Sequence, residues 1–365
     1  MSDYRVVTLP GDGIGPEIMD VAVAALNKAS AAVGGLQITI DEHDASAGRW
    51  QRTGAAMSEE TFEACRDADA ILMGAIGLPE ARHPDGREVN GDVIFRLRFA
   101  LDLYAGVRPV RSLPGVRKTL ATNEPIDYVV VRENVEGLYA SRTGGTNVRN
   151  EVATDTIVIT DTGTRKVSKV AFDIAMSRKG RPLDGRRMVS CIDKANVLSS
   201  YAFFRSVFDD AAKAYPEIAT DHVYVDAMTA FQVQRPAHFD VVVAENMFGD
   251  IISDLAAATV GGLGMAASGD IGDKHGMFQP AHGSAPDIAG RNLANPAAMV
   301  LSTAMMLDWM GRRNDDDLAV QAGQLIDAAV LAVLAEGTTL TADLGGSASC
   351  SEMGEAIVAA ITAAR

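Results

Sequence analysis

Short apolar runs rich in Val, Ile and Leu alternate with helix-patterned stretches along almost the whole chain, and this alternation constrains the fold more than any other feature. Strand-like runs fall at residues 5–9, 37–41, 70–73, 128–131, 188–192, 223–225 and 241–244. Helical periodicity follows at 17–30, 93–103, 195–214, 229–234, 250–259, 296–310 and 317–335. Apolar strands interleaved with amphipathic helices predict an α/β protein built on a mixed, largely parallel sheet. At 365 residues the chain is long enough for two domains.

One segment interrupts the alternation. Residues 136–170 carry Ser141-Arg142-Thr143-Gly144-Gly145, then β-branched Thr156-Ile157-Val158-Ile159-Thr160, then Thr162-Gly163-Thr164. The pattern reads as strands joined by turns, an arm whose open edges predict a contact with a second copy of the chain.

A net charge of −15 argues against nucleic acid as a partner, because phosphate affinity needs a basic surface. No uninterrupted apolar run reaches the ~18 residues of a bilayer span, so no membrane is expected. Strand-like Val6–Leu9 follows directly on the first few residues, leaving no room for a signal peptide; the cytoplasm is the expected compartment. Cys65, Cys191 and Cys350 lack metal-type spacing and read as reduced, core-filling thiols.

Within this acidic chain, Arg98, Arg108 and Arg132 lie in or beside apolar segments, which points to a small anionic substrate; taken singly, each also reads as an ion-paired surface arginine. Asp250 and Asp254 share one face of a helix, where like charges repel unless a cation lies between them. A solvated acidic face is the alternative, but Ile251, Ile252 and Leu255 surround the pair, favouring a hard divalent metal. Asp226 follows a strand-like run and is a third candidate ligand. Lys194, between Asp193 and Asn196 at a strand end, has the setting of a general base, although most lysines are simply solvated. Tyr139, seven residues after Arg132, is a candidate proton donor or else a half-buried aromatic.

Leu9-Pro10-Gly11-Asp12-Gly13-Ile14-Gly15-Pro16 fails the spacing of a dinucleotide fingerprint and fits a sharp strand-to-helix turn equally well. The small-residue loop Pro280-Ala281-His282-Gly283-Ser284-Ala285-Pro286-Asp287-Ile288 suits close approach of a flat ligand, with a long structural loop as the alternative. Asp287 there could accept ribose hydroxyls and would repel a 2′-phosphate.

Together these stretches resemble the metal-dependent β-decarboxylating dehydrogenases, a family that includes isopropylmalate, isocitrate, homoisocitrate and tartrate/D-malate dehydrogenases. The likeness runs from Leu9 to Gly346. It implies an isocitrate/isopropylmalate dehydrogenase-like fold that is not a true Rossmann fold. One domain would combine residues 1–102 with 258–365, and a central domain, 103–257, would carry the arm at about 136–170. It implies that Arg98, Arg108 and Arg132 bind malate carboxylates, that Tyr139, Lys194 and Asp226 are catalytic, and that Asp226, Asp250 and Asp254 hold Mg²⁺ or Mn²⁺. Lys194 and Asp226 would come from the second subunit of a homodimer with shared sites. Ile14, Asn196, His282, Gly283, Ser284, Ala285, Asp287, Ile288 and Asn295 would hold NAD, with Asp287-Ile288 similar to the NAD-preferring version.

Ile94, Phe95 and Val197 would form the wall that selects the C3 substituent. An apolar wall disfavours the extra carboxylate of isocitrate and suits an isopropyl group. The chain departs from the isopropylmalate pattern at Asn90-Gly91, where Pro-Glu is usual, and at Phe95, which is bulkier than leucine. The expected reaction is oxidation and decarboxylation of 3-isopropylmalate, with D-malate/tartrate as the alternative and homoisocitrate or isocitrate less favoured. A non-catalytic regulatory paralogue would be expected to have lost Lys194, Tyr139 or a metal aspartate, and all are present.

Overall fold

The computed structural model describes residues 2–122, 124–142 and 144–362. The chain opens with β1 (Ser2–Leu9), α1 (Gly15–Val33), β2 (Leu36–Glu42), α2 (Ala47–Thr53), α3 (Glu59–Asp67), β3 (Ala70–Met73) and α4 (Asn90–Ala100). Next come β4 (Ala105–Arg111), β5 (Asp127–Glu133), β6 (Thr146–Val148), β7 (Val152–Thr154), α5 (Asp161–Ser177), β8 (Met188–Asp193) and α6 (Ser199–Ala212). β9 (Ala219–Tyr224), α7 (Val225–Gln234), β10 (Val241–Ala244), α8 (Asn246–Thr259), β11 (Ala267–Ile271) and β12 (Gly276–Pro280) follow. α9 (Ala297–Arg313), α10 (Asp317–Glu336) and α11 (Cys350–Ala360) complete it.

Ten strands form one sheet in the order β2-β1-β3-β12-β11-β4-β5-β10-β8-β9. β11 is antiparallel to both its neighbours and β4 is antiparallel to β5, while the remaining pairs are parallel. The sheet is therefore mixed and mostly parallel, as the alternation predicts. β11, in its middle, was not legible as a strand, because Ser268-Gly269-Asp270 carries no apolar run.

Side-chain alternation along the strands sends successive residues to opposite faces, so each half of the sheet is covered twice. Val6, Leu72 and Phe278 pack under α1, α9, α10 and α11, whereas Val7, Ile71 and Met277 face α2, α3 and α4. In the other half, Val129, Val189 and Val241 meet α5 and α6, and Val130, Ile192 and Val242 meet α7 and α8. Cys65, Cys191 and Cys350 are unpaired and buried among these layers.

The predicted arm is shorter than the sequence implied. Among its described residues only β6 and β7 pair, as a two-stranded ribbon whose six residues are all exposed. Residues 156–160 contribute a single bridge, Gly137 to Val158. The segment beyond is α5, not strand. Thr160 caps this helix by accepting from the Gly163 N–H at 3.0 Å, Asp161 lies in its first turn, and Thr164, Val167, Ser168, Ala171, Phe172 and Ala175 form its buried stripe. A cap and a 3.6-residue stripe outweigh the β preference of isolated threonines.

α10 is the one described helix long and apolar enough to cross a membrane by length and composition. Its residues Ala319, Ala322, Ile326, Val330 and Val333 pack into the core beneath the sheet. Asp327 interrupts its apolar run and pairs with Arg111 of β4.

Candidate active site

Arg108 and Arg132 reach the same side of the sheet. Arg108 is registered opposite Val130, two residues from Arg132 on β5, and residues two apart share a face. Helix α8 lies directly over them. A Cβ on Gly249 would sit 2.7 Å from the Cβ of Arg132, so glycine is what lets the helix come this close. The next residue, Asp250, is thereby brought onto both guanidinium groups: Arg132 Nη1 donates to it, and Arg108 Nη2 lies 3.3 Å away.

Arg132 is 2% exposed, and its Nε and Nη2 donate to Asn246 Oδ1 at 3.1 and 2.7 Å. Burial, with Arg98 and Arg108 adding to it, pushes this guanidinium down to about 10. Arg108 donates to Ser253 Oγ at 2.6 Å and stands 3.6 Å from Asp254, while its buried Nε has no partner among the described residues. Arg98 reaches the site from α4, with its Nε anchored at 2.9 Å on the fully buried Asp270. Asn134 and Gln279 also donate to Asp270, at 2.8 and 3.2 Å. Gly106, registered between Arg132 and Asp270, leaves the room this network fills.

Tyr139 donates to Asp250 at 3.2 Å and has the Arg132 guanidinium 5.3 Å from its ring centre. Burial and the Asp250 charge raise its pKa, so its hydroxyl remains a donor. These groups line a cleft of about 300 Å³ together with Ile94, Phe95 and the turns at Gly74–Ile76 and Pro280–Gly283. Three cations meeting at one cleft make an anion site.

Asp250 and Asp254 offer oxygen donors at its edge. Burial raises the Asp250 pKa, but Arg132 and Arg108 outweigh it and the net shift is downward. Asp254 is pushed upward by burial, to which Asp250 adds against the pull of Arg108. That residual repulsion is what a divalent cation relieves, and an all-carboxylate set suits a hard ion. Among the described residues of one chain the pair gains no third acid. Asp226 lies elsewhere, in the first turn of α7 rather than at a strand end, and accepts from Lys194 Nζ at 2.6 Å. The adjoining loop is held by Asp193, which accepts from Ala195 N and from two Arg205 nitrogens. Asn196 and Val197 are exposed beside it, Val197 to 66%.

The glycine-rich turn after β1 is a packing device. Gly13 has φ +58°, and a Cβ on it would fall 1.9 Å from the Ser284 carbonyl oxygen, leaving no cradle for a phosphate. Ile14 N donates to that same carbonyl at 2.8 Å, and Ser284 Oγ donates to the Gly77 carbonyl. Asn295 is also engaged internally, donating to Asp343 at 2.9 Å and accepting from Ala297 N at 2.9 Å. Ile14, Ser284 and Asn295 thus brace the loop from beneath. In the loop itself Gly283 and Asp287 are exposed and His282 is half-buried, while Ala285, at φ +39°, and Ile288 are half-buried against the core. His282 Nδ1 faces the Gly283 carbonyl at 2.9 Å, and burial lowers the imidazole pKa. A carbonyl only accepts, so Nδ1 bears the proton and Nε2 is left as an acceptor.

Residues 5–357 match the family model described as isocitrate/isopropylmalate dehydrogenase. The chain is 40% identical over 355 residues to the 3-isopropylmalate/3-methylmalate dehydrogenase of Methanocaldococcus jannaschii, covering 97% of this chain and 98% of that one. It is equally identical over 354 residues to the 3-isopropylmalate dehydrogenase of Methanothermobacter thermautotrophicus, covering 97% of each. The chain belongs to the isocitrate/isopropylmalate dehydrogenase family. Among solved structures, isocitrate dehydrogenase from Methylococcus capsulatus superposes with a TM-score of 0.85 at 34% identity, over 98% of this chain and 99% of that one. The protein is accordingly an oxidoreductase acting on a CH–OH group. Enzymes of this family use a divalent metal and a nicotinamide dinucleotide, bind small dicarboxylates and are typically dimeric.

Sequence reading missed the supports: Asn246, Ser253, Asp270 and Glu133. Each is a buried polar residue, a signal visible only once burial is known. Glu133 accepts from Val135 N and Glu136 N, both at 2.8 Å, yet burial pushes its carboxyl up to about 7. Its folded pKa exceeds the unfolded one, so this group's contribution to stability is complete below about pH 4 and is lost as pH rises through about 7. Unfolding free energies from denaturant titrations should show Glu133→Gln gaining about 3 kcal/mol on the unsubstituted chain between about pH 4 and 8. A constant difference would show that the carboxyl has the same pKa in the folded and unfolded chain.

Proposed function

We propose that this chain carries out NAD- and divalent-metal-dependent oxidation and decarboxylation of a 3-substituted (R)-malate, 3-isopropylmalate giving 2-oxoisocaproate, CO2 and NADH. The observation that carries this reading is the convergence of Arg98, Arg108, Arg132, Tyr139 and Asp250 on one cleft with an apolar wall at Ile94 and Phe95. The arginines hold the two malate carboxylates by planar two-point contacts. Asp250 and Asp254, with Asp226 of the partner subunit, would hold Mg²⁺ or Mn²⁺, which would supply Lewis-acid polarisation of the substrate hydroxyl, and NAD⁺ would be the hydride acceptor. Lys194 of the partner subunit accepts the hydroxyl proton. When the C3–CO2 bond breaks, its electron pair stays on C3, and Tyr139 protonates that carbon.

The loop at His282–Ile288 is proposed to hold the adenosine end. The free Nε2 of His282 suits an exocyclic amine, and the exposed Asp287 suits ribose hydroxyls while repelling a 2′-phosphate. Val197, Leu198, Tyr224, Val233 and Ile251 are exposed near the proposed shared residues, and the β6–β7 ribbon has open edges. A second copy covering them supports the homodimer. Residues 1–102 with 258–365 and residues 103–257 are proposed as the two domains about the cleft, and the cytoplasm as the compartment.

A second reading, D-malate/tartrate dehydrogenase, draws on Phe95, whose ring occupies wall space that a leucine would leave free. A kcat/KM panel with NAD⁺ and Mn²⁺ over 3-isopropylmalate, D-malate, tartrate and isocitrate decides. Isocitrate should trail 3-isopropylmalate by at least about tenfold, since its third carboxylate would go unpaired. Highest efficiency on D-malate selects the second reading; no turnover of any malate ends both.

A further inference from the structure

Two departures from the isopropylmalate pattern in α4, Gly91 and Phe95, meet Arg142 at one point. The Phe95 ring stacks on Phe99 with centroids 5.9 Å apart and tilts against Tyr139 at 5.8 Å. The Arg142 guanidinium also stands over this ring, 4.2 Å from its centre. Gly91 supplies the space for both, since a Cβ there would lie 3.2 Å from Arg142 Nη2 and 3.2 Å from Phe95 Cδ2. Arg142 forms no ion pair among the described residues and is partly buried, which together with Arg87 lowers its pKa. It follows the Tyr139–Ser141 turn, so its contact with Phe95 ties that turn to α4.

We infer that Arg142 is a positioning residue that pins the Phe95 ring against Tyr139 and so sets the depth of the subsite for the C3 substituent. The inference rests on reading the cleft as a 3-substituted malate site. A cation over an aromatic face fixes that ring in one orientation without itself touching substrate. Phe95 lines the cleft and Arg142 does not. Releasing the ring deepens the subsite, which benefits a branched substituent and leaves an unsubstituted C3 unaffected.

The test is the ratio of kcat/KM for 3-isopropylmalate to kcat/KM for D-malate, measured for the unsubstituted dimer, Arg142→Ala, Arg142→Lys, Phe95→Leu and the Arg142→Ala/Phe95→Leu pair. Arg142→Ala should raise the ratio roughly three- to thirtyfold, the range of a partly desolvated cation–π contact. Arg142→Lys, which keeps the cation, should fall between. Phe95→Leu should raise the ratio at least as far as Arg142→Ala, and the pair should add nothing to Phe95→Leu, because the arginine acts through the ring. An unmoved ratio in a chain that turns over either malate overturns the inference alone, as does an equal loss on both substrates or full additivity in the pair. An unsubstituted chain that turns over neither malate overturns the functional reading and the inference with it.

Discussion

Arg132→Lys should lower kcat/KM for the malate substrate by about a hundred- to a thousandfold while leaving a folded protein. The charge survives, but the planar fork does not. Arg132 spends two nitrogens on Asn246 and a third on Asp250, and its guanidinium lies against Tyr139. A lysine ammonium is a single point on a flexible stem, unable to satisfy Asn246 and align a carboxylate together. Leaving the buried Asn246 oxygen without its donors lowers stability by about 1–3 kcal/mol, while the kinetic loss comes from the two-point contact to substrate, at about 1.5–2 kcal/mol for each of its two charge-assisted bonds. Steady-state kinetics beside thermal denaturation would separate this from misfolding. A drop smaller than about tenfold in a folded variant removes Arg132 from the substrate-binding set.

The second large effect is a recovery. Tyr139→Phe and Lys194→Ala should each be nearly inactive alone, yet mixing them after denaturation and renaturation should restore about a quarter of full activity. Within one chain, Tyr139 belongs to the arginine cleft, while Lys194 is paired with Asp226 apart from it. If each site joins Tyr139 of one subunit to Lys194 of the other, random pairing makes about half the dimers mixed, and each mixed dimer contains one site with both residues intact. Activity per subunit after mixing, with dimer content checked by light scattering, measures this. Mixed dimers no more active than their parents would place both residues in a single-chain site, or Lys194 outside the chemistry.

Much of the site's chemical inventory was legible in the linear chain, because charged residues beside apolar runs stand out without coordinates. Arg108, Arg132, Tyr139, Asp250 and Asp254 are of this kind, and the structure brings all five together. The residues that hold them were not legible. Asp270 lies in a strand whose sequence lacks apolar periodicity, and its role exists only because β11 inserts between β12 and β4. Asn246 and Gly249 read as ordinary helix residues until α8 is laid on β5. The helix α5 was misread for the opposite reason: local β preference was visible, whereas the packed stripe that overrides it was not.

From sequence alone, then, follow the alternating layers, the acid and base chemistry available and the poor match of the Leu9–Pro16 turn to a phosphate loop, since all depend on residue type and short-range spacing. Tertiary structure decided the single ten-stranded sheet, the short ribbon, the convergence of Arg98 with Arg108 and Arg132, and the separation of Asp226 from Asp250. Those outcomes depend on which distant segments share a strand edge or a helix face, and pairings of that kind are settled by burial and register across the fold rather than by any local stretch of chain.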